Sequence, residues 1–148
     1  DKDTIALARR WRKRLGGSMR QAGIIAAGAI YALDHGLDRL AEDHAHARML
    51  AEVIAASPGM RLEPEIVESN IVFARMRPDE PLEAQREAAD RFVEFLGAQG
   101  VGALSEGDGR VRAVFHLGVS REAALEACHA WNACASDFAS ASRLGTSR

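Results

Sequence analysis

Apolar positions change their period several times along the chain, and each change predicts an element. Ile5, Leu7, Ala8 and Trp11 recur among charges over residues 3–15, the mark of a helix capped by Asp3 or Thr4. Gly16 and Gly17 end it, glycine being the usual residue for a left-handed helix exit. Ser18 then reads as the start of a second helix, because "SMRQ" fits a capping box in which serine and glutamine satisfy each other's backbone amides. From Ala22 to Leu33 that helix is apolar on every side, which predicts a buried, closely packed rod. After a break at Gly36, Leu40, Ala47, Leu50, Ala51 and Ile54 predict a long amphipathic helix to about Ala56.

Strand-like spacing follows. "SPGMRLEPE" reads as a turn and a short strand, and "SNIVFARM" as a better one, with Ile71, Phe73 and Arg75 alternating against Val72 and Ala74. The next stretch is a helix with Pro81 at its start and Gly100 at its end. "VGAL", the turn "SEGDG" and "RVRAVFHL" predict a hairpin whose second strand turns Val111, Ala113 and Phe115 one way and Arg110, Arg112 and His116 the other. Ser120 caps a last helix lined on one side by Leu125, Cys128, Trp131, Ala135 and Phe138. The small, polar tail 139–148 is expected to fray. Three helices followed by ββαββα predict an α+β class: a helical lead-in, then a two-layer sandwich of helices on a small, mostly antiparallel sheet.

Composition narrows the partners. Of 148 residues, 47% are apolar and 27% charged, with a net charge of −2, so the basic run "RRWRKR" is a local feature and no general nucleic-acid binder is implied. The longest apolar run has 12 residues, too few to span a membrane. Cys128 and Cys134 point about 120° apart on one helix, so neither a disulfide nor a metal half-site follows, and unpaired thiols suit a reducing, cytoplasmic setting. No secretory leader is visible, and a chain opening on "DKDTIA" without methionine reads as cut from something longer.

Two places carry candidate chemistry. Lys13 and Arg20 flank the glycine break, where a helix N-terminus would favour a phosphate or carboxylate. Spacing alone favours a solvated helix joint, since this is no Walker or Rossmann fingerprint. Arg112 stands mid-strand on the polar face, where a planar guanidinium can grip a carboxylate with two hydrogen bonds; a solvent-facing sheet arginine has the same pattern. His44 and His46 splay to different helix faces, so no metal is expected, and Glu42 with His46 makes an ordinary surface pair. His35, His129 and Cys128 have no partner at a recognisable spacing.

The run "WRKRLGGSMRQAGIIAAGAIYALDHGLDRLAEDHAHARMLAE" resembles the low-specificity L-threonine aldolases, pyridoxal-phosphate enzymes of the aspartate-aminotransferase fold type, and "RVRAVFHLGVSREA" resembles their arginine-bearing strand and following helix start. The likeness runs from residue 1 to about 135. Ser18 stands where the family has the third glycine of a triplet, and Gly118 where it has an aspartate. The resemblance implies that Lys13 and Arg20 bind the cofactor phosphate, usually of a neighbouring subunit in a homo-oligomer (dimer or tetramer), and that Arg112 binds the substrate carboxylate. It implies residues 1–35 as the end of the large cofactor domain and linker, and 36–148 as the C-terminal small domain. The only lysines are Lys2 and Lys13, neither in the family's serine-lysine-glycine context, so no catalytic residue is expected in this chain. The implied reaction, in the full-length enzyme, cleaves threonine-like β-hydroxy-α-amino acids to glycine and an aldehyde; this chain alone would be inactive. A stand-alone, cofactor-free binding module, or a piece of a related β-eliminating lyase, are the other readings.

Overall fold

A computed structural model describes residues 1–144, and the chain divides into two compact units, Asp1–Asp38 and Arg39–Arg148. The first holds α1 (Lys2–Arg14) and α2 (Gly23–Gly36). Asp1, rather than Asp3 or Thr4, caps α1, its carboxylate accepting from the Thr4 amide at 2.8 Å. Gly16 takes a left-handed φ of +81°, and the Gly17 amide closes back on the Arg12 carbonyl at 2.8 Å. A side chain at Gly17 would lie 2.7 Å from Arg12 Cγ, so glycine is required there by close approach.

The capping box does not form. Ser18 and Met19 lie outside any helix, Gln21 sits at a φ of +54°, and α2 begins at Gly23 after Ala22, which caps with no side-chain bond. A left-handed residue inside "SMRQ" removes the helical turn that would let Ser18 and Gln21 bridge. The expected burial of α2 is absent too: no residue of α1 or α2 is buried, and Ile24 is 82% exposed.

The second unit runs α3 (Leu40–Ala56), β1 (Met60–Leu62), β2 (Ile71–Met76), α4 (Leu82–Ala98), β3 (Leu104–Glu106), β4 (Arg110–Val114) and α5 (Arg121–Leu144). Three helices followed by ββαββα is the order that the hydrophobic pattern predicts. The sheet order is β1-β2-β4-β3 with every pairing antiparallel. Val72, Ala74 and Met76 of β2 and Val111 and Ala113 of β4 form its buried face, continuous with Leu50, Ile54, Phe92, Leu96, Trp131 and Phe138 from the three helices. Phe92 meets Trp131 edge to face with ring centroids 5.0 Å apart.

Helix ends here behave as expected. Gly100, at a φ of +79°, lets the Val101 amide reach the Leu96 carbonyl at 2.9 Å and so closes α4. Ser120 Oγ accepts from the Ala123 amide at 3.2 Å to start α5. The backbone of α5 continues to Leu144, well into the stretch read from the sequence as a polar tail; residues 145–148 lie outside the described residues.

Candidate functional site

The open face of the sheet is where charge collects. Strand alternation puts Ile71, Phe73 and Arg75 of β2, Arg110, Arg112 and Val114 of β4, and Leu104 and Glu106 of β3 on the side away from the core. Arg112 is paired in register with Phe73 on one flank and Leu104 on the other; Arg110 is paired with Arg75 and Glu106.

The three arginines differ in how fully they are engaged. Arg75 is the most enclosed, with a side chain 17% exposed. It pairs with Glu63, donates to Gln85 Oε1 at 3.0 Å and to the Asp108 carbonyl at 2.7 Å. Gln85 is itself buried and donates to the Glu80 carbonyl at 2.8 Å, so Arg75 serves to tie β2, α4 and the β3–β4 turn together. Arg110 lies over the Phe73 ring, 4.7 Å from its centroid, and pairs with Asp108 Oδ2 at 2.8 Å. That side-chain bond holds the Asp108 carboxyl below its usual range against the opposing effect of burial, with the Arg110 amide and the Arg110 and Arg75 charges adding to the lowering.

Arg112 is held least. Its side chain is 35% exposed, and its one ion pair among the described residues is Nη1 to Glu106 Oε1 at 3.1 Å. Its Nε, like that of Arg110, is out of solvent contact and has no hydrogen-bond partner among the described residues. Such a guanidinium, mounted on a strand whose opposite face is locked in the core, has donors to offer an anion at small entropic cost.

The other expected site residues belong to the first unit. Lys13 lies in the last turn of α1 and is exposed. Arg20 is also exposed, but it stands in the turn before α2 and not in the helix's first turn, because α2 starts three residues later. Neither has an ion-pair partner among the described residues. The N-terminus of α2 lacks a side-chain cap, although the Ile24 amide is bonded to the Gln21 carbonyl at 3.4 Å.

His46 departs from its surface reading. It is buried, its ring centroid 6.0 Å from that of Phe115, with Nε2 4.0 Å from Glu42 Oε1 and Nδ1 unpartnered among the described residues. Its neighbour Asp43 is buried against Arg39 Nη1 at 2.9 Å. Cys128 and Cys134 are both buried without a disulfide, and burial, aided by Glu52, pushes the Cys128 thiol up and away from reactivity. Among the described residues, no cluster of His, Cys, Asp and Glu is placed to hold a metal, and no helix is long and apolar enough to cross a membrane.

Sequence reasoning missed Glu106, Asp108 and Gln85. The signal for Glu106 lay in the turn: three residues, Gly107 to Gly109, with Gly109 at a φ of +84°, fix a hairpin register that pairs Glu106 with Arg110 and leaves Arg112 one diagonal step away.

Residues 1–77 match the family model described as beta-eliminating lyase. Over 135 residues the chain is 38% identical to the low-specificity L-threonine aldolase of Escherichia coli strain K12, a match covering 90% of this chain and 36% of that protein. It is 34% identical over 112 residues to low-specificity L-threonine aldolase 1 of Arabidopsis thaliana, covering 76% of this chain and 30% of that one. The chain thus spans about a third of the length of the curated relatives it matches.

Proposed function

The chain belongs to the beta-eliminating lyase family, and on that premise we propose that it is the C-terminal portion of a pyridoxal-phosphate lyase that cleaves β-hydroxy-α-amino acids such as threonine and allo-threonine to glycine and an aldehyde. Arg112 holds the substrate carboxylate. Lys13 and Arg20 hold the cofactor phosphate, at an active site shared with a neighbouring subunit of a homo-oligomer in the cytoplasm. The relatives' names supply the reaction class; the observation that carries the residue assignment is the state of Arg112, the least engaged of three arginines on a rigid strand.

The residues present fit an anionic cofactor. Lys13 and Arg20 are exposed cations without ion-pair partners among the described residues, on either side of a glycine break that precedes an uncapped helix start. When bound, pyridoxal phosphate supplies an electron sink for the charge left at Cα as the bond to Cβ breaks. The chain's own part is binding and orientation: Arg112 fixes the carboxylate and thereby the direction in which the Cα substituents point. The two lysines, Lys2 and Lys13, both lie on exposed α1, and neither replaces the cofactor-bound lysine of such enzymes, so this chain alone does not catalyse.

The test is made in the complete enzyme. Arg112→Lys keeps the charge and loses the fork; Arg112→Ala loses both. Both should lower kcat/KM for threonine while leaving cofactor content unchanged, by about 2–5 kcal/mol in transition-state terms for the alanine variant. Near-normal cleavage by Arg112→Ala would place the carboxylate elsewhere. The family's description also names elimination, so the same preparations should be assayed for loss of a β-leaving group; faster elimination than aldol cleavage would transfer the reading to that reaction.

A further inference from the structure

We propose that Glu106 is a built-in placeholder for the substrate carboxylate: it occupies the accessible end of the Arg112 guanidinium, and an incoming carboxylate must displace it. This rests on the reading of Arg112 as the carboxylate-binding residue and adds to it a residue that sets how tightly the ligand is held.

Geometry on the hairpin carries the idea. Arg112 Nε is shielded from solvent, so the exposed part of the group is its Nη end, and there Glu106 Oε1 sits 3.1 Å from Nη1. A carboxylate ligand seeking two parallel bonds at that end meets a carboxylate already in place. Glu106 is paired in register with Arg110, yet it reaches diagonally to Arg112. Arg110 is taken by Asp108 at 2.8 Å and lies over Phe73.

The hairpin holds Glu106 near Arg112 without locking the pair. Arg75 Nη1 donates to the Asp108 carbonyl at 2.7 Å and Arg86 Nε to the Gly107 carbonyl at 2.6 Å, which anchors the turn just beyond β3. The Glu106 side chain itself is 34% exposed and has no second partner among the described residues. An ion pair this open is weak, so a carboxylate with a better bidentate fit can replace it while Glu106 turns into water. An uncharged amide or ester cannot repay that displacement. Glu106 thus selects for a free carboxylate and at the same time weakens its binding.

The experiment uses the 148-residue chain with acetate as the probe. The 15N-labelled Nε–Hε signal of Arg112, assigned by its loss in Arg112→Lys, is followed as sodium acetate replaces sodium chloride at constant ionic strength. The expected result is a half-saturating acetate concentration about two- to fivefold lower in Glu106→Gln than in the unaltered chain. Glu106→Ala should agree. Equal or weaker acetate response in both variants overturns the placeholder role and makes Glu106 a residue that positions Arg112. No response of the Arg112 signal in any of the proteins overturns the carboxylate reading itself, and the placeholder with it.

Discussion

Helices α2 and α4 invert the usual expectation about apolar content. The first, "GIIAAGAIYALDHG", is apolar almost throughout and contributes no buried residue; the second, "LEAQREAADRFVEFLGA", alternates apolar with charged positions and buries Gln85, Ala88, Ala89, Phe92 and Leu96. The same contrast separates Asp1–Asp38, without a buried residue on either helix, from Arg39–Arg148, which contains the whole core. Periodicity tells a helix which face to bury within its own unit. All-round apolarity says only that cover is needed, and α1, the other helix of its unit, leaves every residue of α2 unburied.

The contrast can be broken at its strong end first. Trp131 is 1% exposed in the centre of the second unit's core, so Trp131→Ala should cost about 3–5 kcal/mol, read by urea unfolding followed by circular dichroism. A loss below about 1 kcal/mol would mean that this core is loose and the two units are less different than their burial indicates.

A smaller effect is expected on the open face. The Arg110 bond depresses the Asp108 carboxyl, so this pair adds stability above the ordinary carboxylate range and loses it as pH falls through the lowered folded value. The carboxylate is largely exposed, and Asp108→Asn should therefore cost only about 0.2–1 kcal/mol at pH 7. Unfolding curves of the two proteins should converge as pH drops below about 4. A gap that persists unchanged at pH 3 would assign the effect to the turn's hydrogen bonds and not to charge.

The smallest stability effect belongs to α2. Ile24→Glu with Ile25→Glu should leave unfolding of the second unit within about 0.5 kcal/mol, since neither side chain is buried. Association is the sharper readout: sedimentation of the unaltered chain should show species above monomer, shifting toward monomer in the double variant, because exposed contiguous apolar surface marks an interface. A monomer at every concentration for both proteins would leave the apolarity of α2 without a role in assembly.

Much of the fold was legible because local signals agreed with one another. The order of elements, the two faces of β4, the Gly100 exit and the Ser120 cap all followed from period, glycine and a capping hydroxyl. The start of α2 was not legible, because "SMRQ" satisfies a capping box on paper while Gln21 adopts a left-handed turn that no side-chain pattern announces. His46 was misplaced for a related reason: it shares a helix with charged neighbours, and only the packing of α3 against Phe115 turns it inward.

By itself, then, the amino-acid order determined which segments are helix or strand and which side of each strand is polar, since these depend on neighbours within a few residues. It marked Arg112 as a cation on a polar face. Only tertiary structure decided that Arg75 is consumed in tying β2 to α4, that Arg110 is spent on Asp108 and Phe73, and that Arg112 keeps a single displaceable partner. Those choices rest on hairpin register and on groups brought together from distant parts of the chain, where a shift of one residue would exchange every partner.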